Sequence, residues 1–169
     1  HLAGVIIFSS FLYFFWRDRR RRAASYTTGA AAGLALAWNL VSVILLAATA
    51  DPEANAPVLV ALSFSLLSLL PAVLFQISLA GRRRWLALTG YAISGGAVLL
   101  HLVEPFQPAQ SHYHDWGLWL ITIGFGLLSA ASVLRPEPEV SRAARPMWPR
   151  LIAAAALFLF AMSFAHLST

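Results

Sequence analysis

The chain contains no cysteine and no lysine, and only 11% of its 169 residues are charged. Without cysteine there are no disulfides, thiolate metal centres or cysteine nucleophiles, and the redox compartment stays open. The shortage of charge excludes an ordinary soluble domain, in which about a quarter of the residues are charged. Catalytic signatures are missing too. The sequence holds no phosphate-cradling glycine loop, no nucleophile elbow and no metalloprotease helix with paired histidines. No Asp, Glu or Arg falls in the middle of an apolar run, so neither a catalytic carboxylate pair nor a charged ion pathway is expected. These absences point away from an enzyme.

What remains is apolar. Hydrophobic residues make up 59% of the chain and its mean hydropathy is +0.71, more than a soluble protein of this size can cover. Six apolar runs stand out, at about 2–16, 27–50, 58–80, 85–103, 116–134 and 151–168. A helix rises 1.5 Å per residue, so about 20 residues cross a hydrocarbon core of about 30 Å. The runs are apolar all round and lack the alternation of a barrel strand, and lipid obliges each segment to satisfy its own backbone. The expected fold is an all-α, polytopic membrane bundle of six transmembrane helices forming a single domain over 1–169.

The arginines set the expected direction. All twelve lie in three stretches, 17–22, 82–84 and 135–150, and basic loops face the cytoplasm. The inner loops then carry a net +9 and the outer loops −4, the latter from Asp51, Glu53, Glu104 and Asp115. His1 and Thr169 both fall on the outer, periplasmic side of a bacterial inner membrane. Trp16, Trp85 and Trp148 border the inner loops, while Tyr113, Trp116 and Trp119 border the outer ones, at headgroup level. The sequence pI near 10.7 therefore needs anionic lipid headgroups as partners and no nucleic acid. The chain begins with His1 where a complete protein would begin with Met, and reads as a portion of something longer.

Turn and cap residues agree with these runs. Asp51-Pro52 closes the second. Asn55 and Pro57 open the third, and Asp115 is placed to cap the fifth. The prolines at 136, 138, 146 and 149 make 135–150 an irregular inner loop. Pro71 lies inside the third run, where it removes a backbone bond to Leu67 and bends the helix, with Ser68 placed to satisfy the freed carbonyl.

Lipid is as apolar as leucine, so helices associate through close backbone approach and polar contacts. Gly29, Gly33 and Ala37 form one small-residue face; Gly90 and Ser94, followed by Gly95-Gly96, form a second; Gly126 and Ala130 form a third. Asn39 and Gln76 are the strongly polar residues inside runs, suited to bridging helices. Trp38, midway along the second run, is expected to pack on a neighbouring helix or touch a bound lipid or pigment.

Histidines carry the candidate chemistry. His101 lies near the outer end of the fourth run, three residues before Glu104. A neutral imidazole there suits an axial bond to haem iron or to the magnesium of bacteriochlorophyll, or a structural bond to Glu104, a carbonyl or water. His166 offers the same chemistry near the end of the chain. His112, His114 and Asp115 form a short outer cluster that suits zinc or iron if the backbone is extended; as the alternative, Asp115 is only a cap.

The order of Phe14–Arg22, then Ala35–Leu46 with Trp38, then Leu69–Gln76 with Pro71, then the basic turn Gly81–Arg84 resembles the amino-terminal seven-helix membrane region of bacterial sensor histidine kinases. The resemblance spans Leu2 to Val103. It implies a sensor whose seventh helix leads to a cytoplasmic kinase; neither that helix nor a kinase histidine box nor ATP-binding glycines occur in these 169 residues. Two functions follow. One is a non-catalytic accessory or scaffold subunit of a photosynthetic or respiratory complex, acting on other membrane subunits, lipids and pigments such as carotenoid. The other is the membrane sensor module of a histidine kinase or related receptor. Composition favours the subunit.

Overall fold

A computed structural model describes residues 1–18, 26–48, 56–79, 83–107 and 112–134. Those residues are helical: α1 (Leu2–Asp18), α2 (Tyr26–Ala48), α3 (Ala56–Leu79), α4 (Arg84–Val103) and α5 (Tyr113–Leu134), with a 3₁₀ turn at Glu104–Phe106. Helices α2 to α5 are each long and apolar enough to cross a membrane, and α1 is a shorter apolar helix. The sixth expected run, the Asp51-Pro52 turn, Asn55, the loop 135–150 and His166 lie outside the described residues. The protein is all-helical over what is described and its composition is that of a multi-pass membrane protein.

Each helix packs on the next in chain order, and α5 also touches α3 lightly. Neighbours run antiparallel, as short connections require. Gly4 faces Asn39 and Gly29 faces Phe15, which reverses α1 against α2; Gly96 meets Leu120 and Gly124 meets Ile93, which reverses α4 against α5. Tyr91 of α4 donates a hydrogen bond to Gln76 of α3, so Gln76 bridges two helices. Asn39 Nδ2 donates to the Ala35 carbonyl at 2.8 Å, and its Oδ1 lies 3.4 Å from His1 Nδ1. Trp38 meets the His1 ring edge-on, centroids 5.2 Å apart. That contact ties α2 to the start of α1.

The packing is inverted relative to a soluble bundle. Ile6, Phe14, Leu88, Leu99, Ile123 and Leu127 are exposed, whereas Asn39, Ser42, Ser63, Ser65, Ser68, Ser94 and His101 are buried. Lipid solvates the former at no cost, and polar side chains turn inward to find partners. Serine hydroxyls donate to carbonyls of their own helices: Ser42 to Trp38 at 2.9 Å, and Ser65 to Ala61 at 2.7 Å. One apolar cluster joins α3, α4 and α5 through Ala72, Phe75, Leu86, Ala97, Ile121, Phe125 and Leu128. Phe75 and Phe125 meet edge-to-face at 6.0 Å over Gly90, so Gly90 works as a packing seam. At the opposite end from His101, Arg83 caps α4 in the left-handed region (φ 56°, ψ 55°) and donates to the Ser132 carbonyl of α5 at 3.4 Å.

The small-residue faces divide. Gly29 packs under Phe15, and Gly90 and Ser94 are buried, but a Cβ on Gly33, Gly95 or Gly126 would meet nothing within 4 Å and Ala130 is exposed. Ala97, fully buried, marks the tightest part of the three-helix core. Overpacking there by Ala97→Leu is expected to destabilise the fold by about 1–3 kcal/mol. Leu99→Ala, on the lipid face, should change stability by no more than about 0.5 kcal/mol. Thermal unfolding in mild detergent compares the two.

Candidate functional site

The site begins with where α5 starts. Its first helical residue is Tyr113, and the Trp116 N–H bonds to the His112 carbonyl at 3.1 Å. His112, not Asp115, therefore holds the cap position, and the expectation for Asp115 is corrected. Asp115 lies in the first turn, where a carboxylate faces the positive end of the helix dipole, and its Oδ2 is 3.3 Å from His112 Nδ1. A helix rotates about 100° per residue, in contrast with the period of two of an extended segment. His112 and His114 thus part company. His112 stays exposed beside Asp115, while His114 turns inward. Among the described residues no group of three or more His, Asp or Glu side chains is placed to hold a metal ion.

Inside, His114 meets His101. His101 is completely buried near the C-terminal end of α4, and an imidazole without partners there would carry a desolvation cost. Both its nitrogens are engaged. Nδ1 lies 3.0 Å from His114 Nδ1, and Nε2 lies 3.1 Å from Ser68 Oγ of α3. Three helices are thus joined by one hydrogen-bonded line, Ser68–His101–His114. The sequence suggests that Ser68 serves the carbonyl freed by Pro71; in the structure its hydroxyl meets the imidazole instead.

Two further residues shape the junction. Phe64, one turn before Ser68, presents its ring to both imidazoles, with centroids 5.7 Å from His101 and 3.9 Å from His114, the second perpendicular at 89°. Gly117 is about one turn beyond His114, and a Cβ there would come within 2.6 Å of His101 Cε1. Only a glycine lets α5 close on the buried ring. Glu104, in the 3₁₀ turn after α4, completes the attachment. Its Oε2 accepts from the His114 backbone N–H at 3.1 Å, one of the four donors that the start of any helix leaves without an intrahelical partner.

The tautomers are coupled. In one neutral arrangement His101 Nδ1–H donates to His114, and His101 Nε2 accepts from the Ser68 hydroxyl. In the other His114 Nδ1–H donates to His101, and His101 Nε2–H donates to Ser68 Oγ. Either arrangement satisfies the buried ring, and passing from the first to the second moves the shared proton across the Nδ1–Nδ1 contact while His101 gains a proton at Nε2 and His114 gives one up at Nε2. Elsewhere among the described residues, the buried Ser94 Oγ and Thr122 Oγ1 have no hydrogen-bond partner.

His101 stands out in the sequence; Ser68, Phe64 and Gly117 do not announce themselves as its neighbours. The signal they carry is spacing. Phe64 and Ser68 are four residues apart, and Ser94 and His101 are seven apart, so each pair shares a helix face. No family model, curated protein or solved structure matches this chain.

Gly117→Ala is expected to push the imidazole aside and destabilise the fold by about 1–3 kcal/mol. Gly95→Ala, which meets open space, should instead stabilise α4 by about 0.5–1 kcal/mol through helix propensity. Ser68→Ala removes a partner of a buried nitrogen and should cost about 1–3 kcal/mol. Thermal unfolding in detergent ranks the three variants.

Proposed function

We propose that this chain is the membrane-embedded sensor part of a bacterial receptor of the inner membrane, with the His101 end of the helices at the outer face. The observation that carries the reading is the Ser68–His101–His114 line, which joins α3, α4 and α5 at one buried point. A scaffold has no need of such a junction, since small residues and apolar cores hold helices together without it. A receptor needs an element with two arrangements that a stimulus biases, and the coupled imidazoles supply one. Pro71, in α3 about one turn beyond Ser68 and buried, lies where a change at the junction enters the helix. The basic stretches at 17–22 and 82–84 fit the cytoplasmic side, and the acidic Glu104 and Asp115 fit the outer one. The resemblance to the sensor region of histidine kinases points the same way.

A second reading is favoured by a different observation. Gly33, Gly95 and Gly126 present small surfaces with nothing against them among the described residues, and such surfaces suit further helices. On this reading the chain is an accessory subunit of a larger photosynthetic or respiratory complex.

Determining the coding sequence beyond Thr169 tests the first reading. It is expected to show a seventh apolar run followed by a kinase or other output domain, and a stop codon shortly after Thr169 would overturn it. Native purification in mild detergent with absorption spectroscopy tests the second. Companion subunits and a bacteriochlorophyll, carotenoid or haem spectrum would support it; a lone, colourless chain would count against it.

A further inference from the structure

We infer that the His101–His114 contact is a proton-operated latch: the junction holds the start of α5 against α4 while the pair carries at most one extra proton, and releases it when both imidazoles are charged. The proton is then the stimulus of the receptor reading, and the latch rests on that reading for its purpose.

The geometry carries it. An Nδ1 to Nδ1 distance of 3.0 Å requires that one nitrogen donate and the other accept. With both rings neutral this holds in either tautomeric arrangement. With one extra proton it still holds: His114, charged, donates through Nδ1, and His101 turns Nε2–H to Ser68 Oγ. A second proton leaves hydrogens on both Nδ1 atoms and two like charges face to face, which turns the bond into a repulsion. The bond is lost at that step and at no earlier one.

The groups that face the pair come from three elements. Helix α3 presents Ser68 and Phe64 and contains no ionisable side chain. Helix α4 and the turn after it present His101 and Glu104. The start of α5 presents His114, with His112, Tyr113 and Asp115 beside it. Glu104 and Asp115 favour a proton arriving from the outer face and stabilise the singly charged pair. Glu104 is held by the His114 backbone N–H and Asp115 lies beside His112, so neither carboxylate enters the Nδ1 to Nδ1 gap to relieve a doubly charged pair. The backbone of α5 at Gly117 lies directly against the His101 ring, and repulsion between the two charged rings is relieved by separation of the helices. Helix α5 is the element that can move, because it packs on α4 and only lightly on α3.

The test uses the full chain in lipid nanodiscs. The absence of native cysteine allows nitroxides to be placed cleanly at Leu99→Cys and Trp116→Cys, both exposed, and electron paramagnetic resonance reads their separation. The pH is lowered from about 7.5 to about 3.5, well below the ordinary histidine value of about 6.5, because the second proton must join a buried pair that already carries one charge. The expected result is a reversible lengthening of about 3–5 Å in one transition, the displacement needed to break a hydrogen bond of ordinary length, lost in His114→Asn and kept in His112→Gln. An unchanging distance in the parent would overturn the latch. So would a transition that survives in His114→Asn, which would place it on Glu104 or Asp115. If His114→Asn does not fold, ¹⁵N magnetic resonance of the parent decides the same question: the coupling across N–H···N must vanish in the step that lengthens the distance, and a coupling that outlasts it overturns the proposal. A pH-silent junction in a chain whose gene encodes an output domain removes the proton as stimulus and leaves the receptor reading intact; a working latch in a chain without one does the reverse.

Discussion

The fully buried imidazole of His101 constrains the structure around it. A histidine in that position needs a partner for each nitrogen, because an unpaired polar group in a water-free interior costs about as much as a hydrogen bond is worth. One nitrogen is met by Ser68 and the other by His114. These two contacts set the height of α3 and α5 against α4. The remaining features follow from this. Gly117 is small because α5 must close on the ring, Phe64 packs its ring against both imidazoles from α3, and Glu104 holds the backbone of His114 in place.

The rest of the packing obeys a different rule. In lipid, burying leucine gains little, so the interior is assembled from what permits close approach and what needs a partner. Alanines 72 and 97 are fully buried while large aliphatic side chains cover the outside. The same rule separates the internal glycine at position 90 from the open ones at 33, 95 and 126. Glycine in a membrane helix permits an approach, and only the neighbouring helix decides whether the approach is made.

That distinction also sets how far the sequence can be read. Hydropathy and length place α2 to α5 to within a few residues of their ends, because a long apolar run in lipid has no alternative to a helix. Gln76 and Asn39 are legible as polar bridging residues for the same reason. The site is legible only in part. His101 stands out as an ionisable group near the end of an apolar run, but its partners lie 33 and 13 residues away, and spacing along one helix carries no information about the face of another. His114 groups with His112 and Asp115 only while α5 is taken to start at Trp116. Beginning at Tyr113, the helix turns what reads as an extended pair into residues on different faces. Three residues of boundary error move a histidine from the interior to the surface.

The arrangement also explains why a junction at His101 has reach beyond its own contacts. Helices α3 and α5 touch directly only a little, so the imidazole on α4 is the main polar link by which the start of α5 is registered against α3. Ser68, its α3 partner, is about one turn from Pro71, where the backbone lacks a hydrogen bond. A change in which nitrogen carries the proton alters what Ser68 accepts or donates. When Ser68 is the acceptor, its own hydroxyl proton is released to the carbonyls of α3. The point at which α3 is least restrained by its own hydrogen bonds is therefore next to the point at which its side chain senses α5.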